Sequence, residues 1–209
     1  NDGLIRFAQN DAEWQVLAAL FDGMVDREGR LPAWPFLHQG GKVTIYEFDL
    51  VIAEDFGQVL ASLTLEYDDK SITVLGVEPG LTYYRDEYAV YSGFSLRAEA
   101  LPDAYGEAVW HEPGGDPGGA LAFTIDVITI IGSSRRWAVW AQRDWEIGLL
   151  LTVGGDWDCG GIDVPSIPDG ADLADFRAPE GWGMPLTQED LFMFRKAIQD
   201  HQLGSGETG

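Results

Sequence analysis

A chain of 209 residues that is 45% hydrophobic, with eight Trp and ten Phe, is long enough to bury a core and too apolar to stay disordered. Thirteen Lys and Arg against 35 Asp and Glu give a net charge of -22; a field of that sign repels phosphate backbones and anionic lipid, so nucleic acid and membrane are excluded as general partners. It steers a basic protein partner inward instead, the alternative being that the charge serves solubility alone.

The single cysteine, Cys159, can form no intrachain disulfide and points to a reducing cytoplasm. No run reaches the roughly 18 apolar residues that span a bilayer, and the start, NDGLIRFAQND, lacks the basic and apolar regions of a signal peptide.

The first predicted element is an amphipathic helix. Asn10 or Asp11 is its N-cap, and Trp14, Leu17, Leu20, Phe21, Met24 and Val25 recur at helical spacing. Pro32, Pro35 and the pair Gly40–Gly41 break it. From Lys42 the period changes to two, so KVTIYEFDLVI reads as a strand. Residues 54–63 fit either a short helix capped by Asp55 or a strand, and ITVLGVE is a β-branched strand ended by Glu78, Pro79 and Gly80. LTYYRDEYAVYSGFSLRAEA reads as one or two strands, and HEPGGDPGGA as a loop.

LAFTIDVITIIG is the near-continuous apolar run of a central strand covered on both faces. RRWAVWA and WEIGLLLTV, parted by QRD, form a tight antiparallel hairpin. In it Trp137 and Val139 share one face and Trp140 takes the other, while Trp145, Ile147, Leu149, Leu151 and Val153 share a face of the second run. Burial of these rings explains their clustering without a ligand. A turn-rich stretch follows, and LTQEDLFMFRKAIQDHQ is a terminal helix capped by Thr187. The prediction is an α+β fold: a mostly antiparallel sheet with an N-terminal and a C-terminal helix packed on it, one domain over 1–203 and a flexible tail over 204–209.

Motifs for chemistry are scarce. His38, His111, His201 and Cys159 lie too far apart in sequence for a zinc motif, and HEPGG lacks the second His of a metalloprotease helix. Asp156, Asp158 and Asp163 are close together as in a calcium loop but lack its terminal Glu. No Walker sequence, nucleophile elbow or dinucleotide fingerprint occurs. The expectation is therefore a protein that is not an enzyme and holds no metal or cofactor.

Charge distribution supplies the candidate site. Between Arg143 and Arg177 stand Asp144, Glu146, Asp156, Asp158, Asp163, Asp169, Asp172 and Asp175 with no basic residue. Trp157 and Trp182 lie in or beside this stretch, and aromatic anchors ringed by carboxylates suit a partner-binding surface for a basic protein. The pattern RRWAVWAQRDWEIGLLL, an aromatic strand, an Arg-Asp turn and an apolar strand, resembles one that recurs in small acidic immunity proteins of bacterial polymorphic-toxin systems.

That resemblance implies a cytoplasmic, non-enzymatic inhibitor that blocks a cognate toxin domain, such as a nuclease whose cationic cleft takes phosphates. A carboxylate-dependent hydrolase working near the Gly-rich loop 112–119 is an alternative, marked by two carboxyls about 5 to 10 Å apart. A phage or secretion-apparatus assembly protein is a further one, marked by a large self-complementary apolar patch.

Overall fold

Strands form within KVTIYEFDLVI, ITVLGVE, LAFTIDVITIIG, RRWAVWA and WEIGLLLTV and pair, with two more, into one sheet. The structure, a computed structural model, describes residues 3–38, 40–154, 157–158 and 186–203. The strands are β1 (Ile5–Phe7), β2 (Lys42–Glu47), β3 (Ser71–Glu78), β4 (Gly93–Arg97), β5 (Val127–Gly132), β6 (Trp137–Gln142) and β7 (Ile147–Thr152). They lie in the order β1-β4-β3-β5-β6-β7-β2, all neighbours antiparallel. The helices are α1 (Asp11–Ala19), α2 (Phe48–Val51), α3 (Phe56–Glu66), α4 (Leu81–Tyr88), α5 (Asp103–Val109), α6 (Leu121–Thr124) and α7 (Gln188–Leu203). The fold is α+β, as the sequence predicts, with β5 in the middle of the sheet.

Helices cover both faces. On one, Val51, Phe56, Val59, Leu60 and Leu63 of α2 and α3, with Tyr105 of α5, pack against Trp137, Val139 and Leu150. On the other, Trp14 and Ala18 of α1, Phe21 to Phe36 of the following segment, and Leu191 and Phe194 of α7 cover Trp140, Leu149 and Leu151. Every residue of β5, β6 and β7 is therefore buried, which is why these runs read as continuously apolar rather than alternating. Trp137 and Trp140 face opposite cores as the period of two requires. Trp145, expected on β7, sits instead in the one-turn 3-10 helix Arg143–Trp145, yet its ring joins the same core as Ile147.

Four stretches depart from or decide the sequence reading, the first being LAFT, expected to open the central strand but forming helix α6, so that β5 begins only at Val127. Segment 54–63 is helix from Phe56 onward, because Phe56, Val59, Leu60 and Leu63 fall on one side of α3 and all are buried. The strand expected through Ile52 stops at Glu47, where the Phe48 amide donates to the Glu146 carbonyl at 2.9 Å and α2 turns Phe48 and Val51 inward. LTYYRDEY is helix α4 and not strand: Leu81, Tyr84 and Tyr88 at helical spacing meet the core while Arg85, Asp86 and Glu87 face outward. Amphipathic placement on a covered sheet outweighed the β propensity of its tyrosines.

Of the expected caps, those of Asn10 and Thr187 form, whereas Asp55 precedes α3 without a side-chain capping bond. The Asn10 side chain accepts from the Glu13 amide at 2.9 Å, and the Asp190 amide donates to Thr187 Oγ1 at 3.1 Å while the Asp190 carboxylate accepts from the Thr187 amide at 2.9 Å. The Thr187 hydroxyl, donating to the Asp190 carboxylate at 2.7 Å, and then the Thr187 amide hold that carboxyl below its ordinary value.

The turn after β5 is built on a buried carboxylate. Asp69 accepts from Trp137 Nε1 at 2.7 Å, from Ser133 Oγ at 3.1 Å and from the Ser134 amide. Trp140, equally buried, has no partner for its indole N–H among the described residues. We expect Trp137→Phe to cost about 1–2 kcal/mol more than Trp140→Phe in urea unfolding, because only the first deletes a charge-assisted hydrogen bond. Equal losses would show that the Asp69 contact contributes nothing.

Helix α7 closes the second face with a histidine. Phe194 lies 5.4 Å from Trp145 between ring centres, and the buried His201 ring lies 4.7 Å from Trp34, neither of its nitrogens having a partner among the described residues. Burial, and then His38, lowers its pKa. The unfolded chain therefore binds the proton more tightly, so this contribution to stability is complete above about pH 6.5 and is lost as pH falls below it. The thermal midpoint is expected to fall between pH 7 and pH 5, and His201→Leu to flatten that slope; parallel slopes would put the pH dependence elsewhere.

Candidate functional site

Strand order gathers one end of β3, β5, β6 and β7 at a single edge of the molecule. Glu78 closes β3 and pairs with Val127, Val127 pairs with Gln142, and Gln142 pairs with Ile147. The Asp126 amide donates to the Glu78 carbonyl at 2.7 Å, which places Asp126 beside Glu78. Segment 30–32 and the start of α7 close the space, leaving a cleft of about 430 Å³ whose lining includes Glu78, Asp126, Asp144, Asp190, Arg30 and Gln142. Four carboxylates thus face one guanidinium.

The electrostatics of the cleft are unbalanced. Arg30 Nε donates to Glu78 at 2.6 Å, its guanidinium lies 5.8 Å from the Trp140 ring centre, and it also donates to the Arg27 and Gly29 carbonyls, which fixes its position. Arg143 approaches Asp126 only to 3.8 Å, because it donates to the Ile125 and Ala122 carbonyls at 2.7 and 3.0 Å and stacks on Phe48. Burial raises the Asp126 pKa, Arg143 lowers it, and Glu78 and Asp144 raise it further. Like charges held together in a partly desolvated cleft are relieved by an incoming cation. Among the described residues no three His, Cys, Asp or Glu converge closely enough to hold a metal ion.

The residues expected to bind a partner divide. Asp144 lines the cleft, and Glu146 stands in the same turn with a left-handed backbone, φ 56°. Asp158 is exposed beyond the far end of β7, a strand that spans roughly 17 to 20 Å. Trp157 is not a surface anchor: it is buried in the first core, where its indole N–H donates to Ser62 Oγ at 3.1 Å. Asp156, Asp163, Asp169, Asp172, Asp175 and Trp182 lie outside the described residues, as do Cys159 and the tail from 204.

The acidic surface read as one sequence-local patch is therefore divided, and Glu78, Asp126 and Asp190 join Asp144 from elsewhere in the chain. Sequence reading took Glu78 for a strand terminator and Asp190 for an acidic residue in the first turn of the helix capped by Thr187. Neither role signals the other carboxylates.

A second cavity of about 290 Å³ borders the Gly-rich loop and is lined by Phe7, Ala8, Tyr91, His111, Pro113 and Gly119 among others, with no carboxylate. The carboxylate pair expected for a hydrolase beside that loop is thus not part of this cavity. No helix of the described residues is long and apolar enough to cross a membrane. In comparisons with protein-family models, curated proteins and solved structures, no match to this chain was found.

Proposed function

We propose that this protein is an immunity-type inhibitor that binds and neutralises a basic protein partner, such as a nuclease toxin, in a cytoplasmic setting, and that the cleft between segment 30–32, the strand ends and α7 receives the partner's basic side chains. The observation that carries the reading is the set of Glu78, Asp126, Asp144 and Asp190 around one cleft. A net charge of -22 adds long-range attraction for the same partner. A toxin whose active site is cationic would be blocked by occupying that site with carboxylates.

The experiment is capture of partners from lysate of the source organism with the protein as bait, eluted by a salt gradient, alongside the bait carrying Asp126→Lys and Asp144→Lys. A basic protein that binds the first bait, is lost from the second, and rebinds in purified form with salt-dependent affinity supports the proposal. Equal capture by both baits removes the cleft from it.

A further inference from the structure

Helix α7 is held to the body by one stripe of side chains, and the last member of that stripe titrates. Leu191 and Phe194 are buried, Ile198 is partly so and His201 is 3% exposed, whereas Phe192 and Met193 on the remaining surface of the helix are exposed. Phe194 meets Trp145, and the His201 ring lies against Trp34. Both His201 nitrogens and Trp34 Nε1 are buried without a hydrogen-bond partner among the described residues. Trp137, by contrast, is bonded to Asp69. The His201 contact rests on ring packing alone and suits only the neutral imidazole, since a charged ring needs acceptors that the site lacks.

The neighbours do not supply a counter-charge. Burial first, and then His38, a second base on the segment that follows Trp34, disfavours the charged ring. On the same covering segment Asp22 is paired with Arg27 and Arg30 with Glu78, while the Asp26 carboxylate accepts from the Glu28 amide. On α7 itself, Asp200 and Lys196 are exposed. The strand side chains beneath this face, Leu149 and Leu151 among them, are apolar.

We propose that His201 is the catch of a pH-operated latch: once protonated it leaves the dry contact with Trp34, and α7 releases from the second face while the sheet stays folded. Stability lost below about pH 6.5 is then lost by α7 first and not by the domain as a whole. Asp190, in the first turn of α7, lines the acidic cleft, so release takes away part of its wall. The latch does not depend on what the cleft binds; only that consequence for a partner rests on the reading above.

The test is hydrogen exchange read by mass spectrometry at about pH 7.5 and about pH 5.5, with rates corrected for the intrinsic effect of pH on exchange. It compares the wild type with His201→Phe, which keeps a ring against Trp34 and takes no proton. An open-state pKa near 6.5 and a closed ring that binds no proton limit the change in opening to about tenfold. We expect protection of Gln188–Leu203 to fall about three- to tenfold in the wild type. Protection of β5, β6 and β7 should hold, and in His201→Phe that of α7 should be the same at both pH values.

Equal loss in α7 and in the sheet, a change in α7 below about twofold, or the same change in His201→Phe overturns the latch. The wild type alone decides between local and global opening, and His201→Leu takes the place of His201→Phe if the latter does not melt cooperatively.

Discussion

Asp69→Ala is expected to lower the unfolding free energy by about 2 to 3 kcal/mol, a large share of the roughly 5 to 15 kcal/mol that holds a domain of ordinary stability. The carboxylate is buried and accepts from Trp137 Nε1, Ser133 Oγ and the Ser134 amide; alanine strands the buried indole N–H, whereas the exposed Ser133 and half-buried Ser134 can turn to water. No rearrangement supplies a substitute acceptor cheaply, because Gly132 is packed against both partners: a Cβ there would collide with Asp69 Oδ2 and stand 2.6 Å from Trp137 Nε1.

Asp69→Asn should cost nearly as much as alanine, since the amide NH₂ confronts a donor that the carboxylate accepted. Combining Asp69→Ala with Trp137→Phe should cost less than the two single changes added together, because the second removes a donor that the first has orphaned. Urea unfolding of the four variants measures this. A loss below about 1 kcal/mol for Asp69→Ala would mean that the turn closes without its carboxylate.

Asp126→Lys with Asp144→Lys is expected to slow association with the basic partner by about 10- to 100-fold at low ionic strength, the difference narrowing as salt shortens the screening length. These two residues contribute half of the carboxylates around the cleft, and reversing them replaces attraction by repulsion at the entry point. Folding should respond in the opposite sense. Asp126 pays for burial and for Glu78 and Asp144 in its charged form, so Asp126→Asn alone should raise the thermal midpoint by about 1–2 °C, as small surface-charge gains do in domains of this size.

The sign follows from linkage: a carboxyl with a raised folded-state pKa loses stability once pH exceeds its unfolded value, and neutral asparagine removes that loss. Stopped-flow association across a salt series and calorimetric melting at pH 7 test the pair. Unchanged association would place the partner elsewhere, and a lowered midpoint for Asp126→Asn would show that its pairing with Arg143 outweighs the repulsion.

Residues whose role is set by near neighbours were legible in the sequence. Asn10 and Thr187 announced helix starts, the apolar run VITIIG announced a central strand, and the spacing of Trp137 and Trp140 announced opposite faces. Each depends on contacts within a turn of helix or on strand alternation, which the order of residues encodes directly. LTYYRDEY was misread for the complementary reason: tyrosines favour strands locally, and only a sheet needing cover at that point made the helix the better burial.

The cleft belongs to the second kind. The sequence alone determined that the protein is strongly acidic, has an apolar central sheet, and carries a helix near each end of its described fold, though not the edge strand β1 that precedes the first of them. Tertiary structure alone decided which carboxylates meet, because the strand order brings Glu78, Asp126 and Gln142 to one end of the sheet and sets Leu31 against Gln142 across 111 positions of sequence. It also buried Trp157 and set Asp158 apart from Asp144. Hydrophobic pattern specifies how much of each strand is buried, whereas the position of a strand among its neighbours is chosen by the packing of the whole, so charge clusters formed across strands leave no local trace.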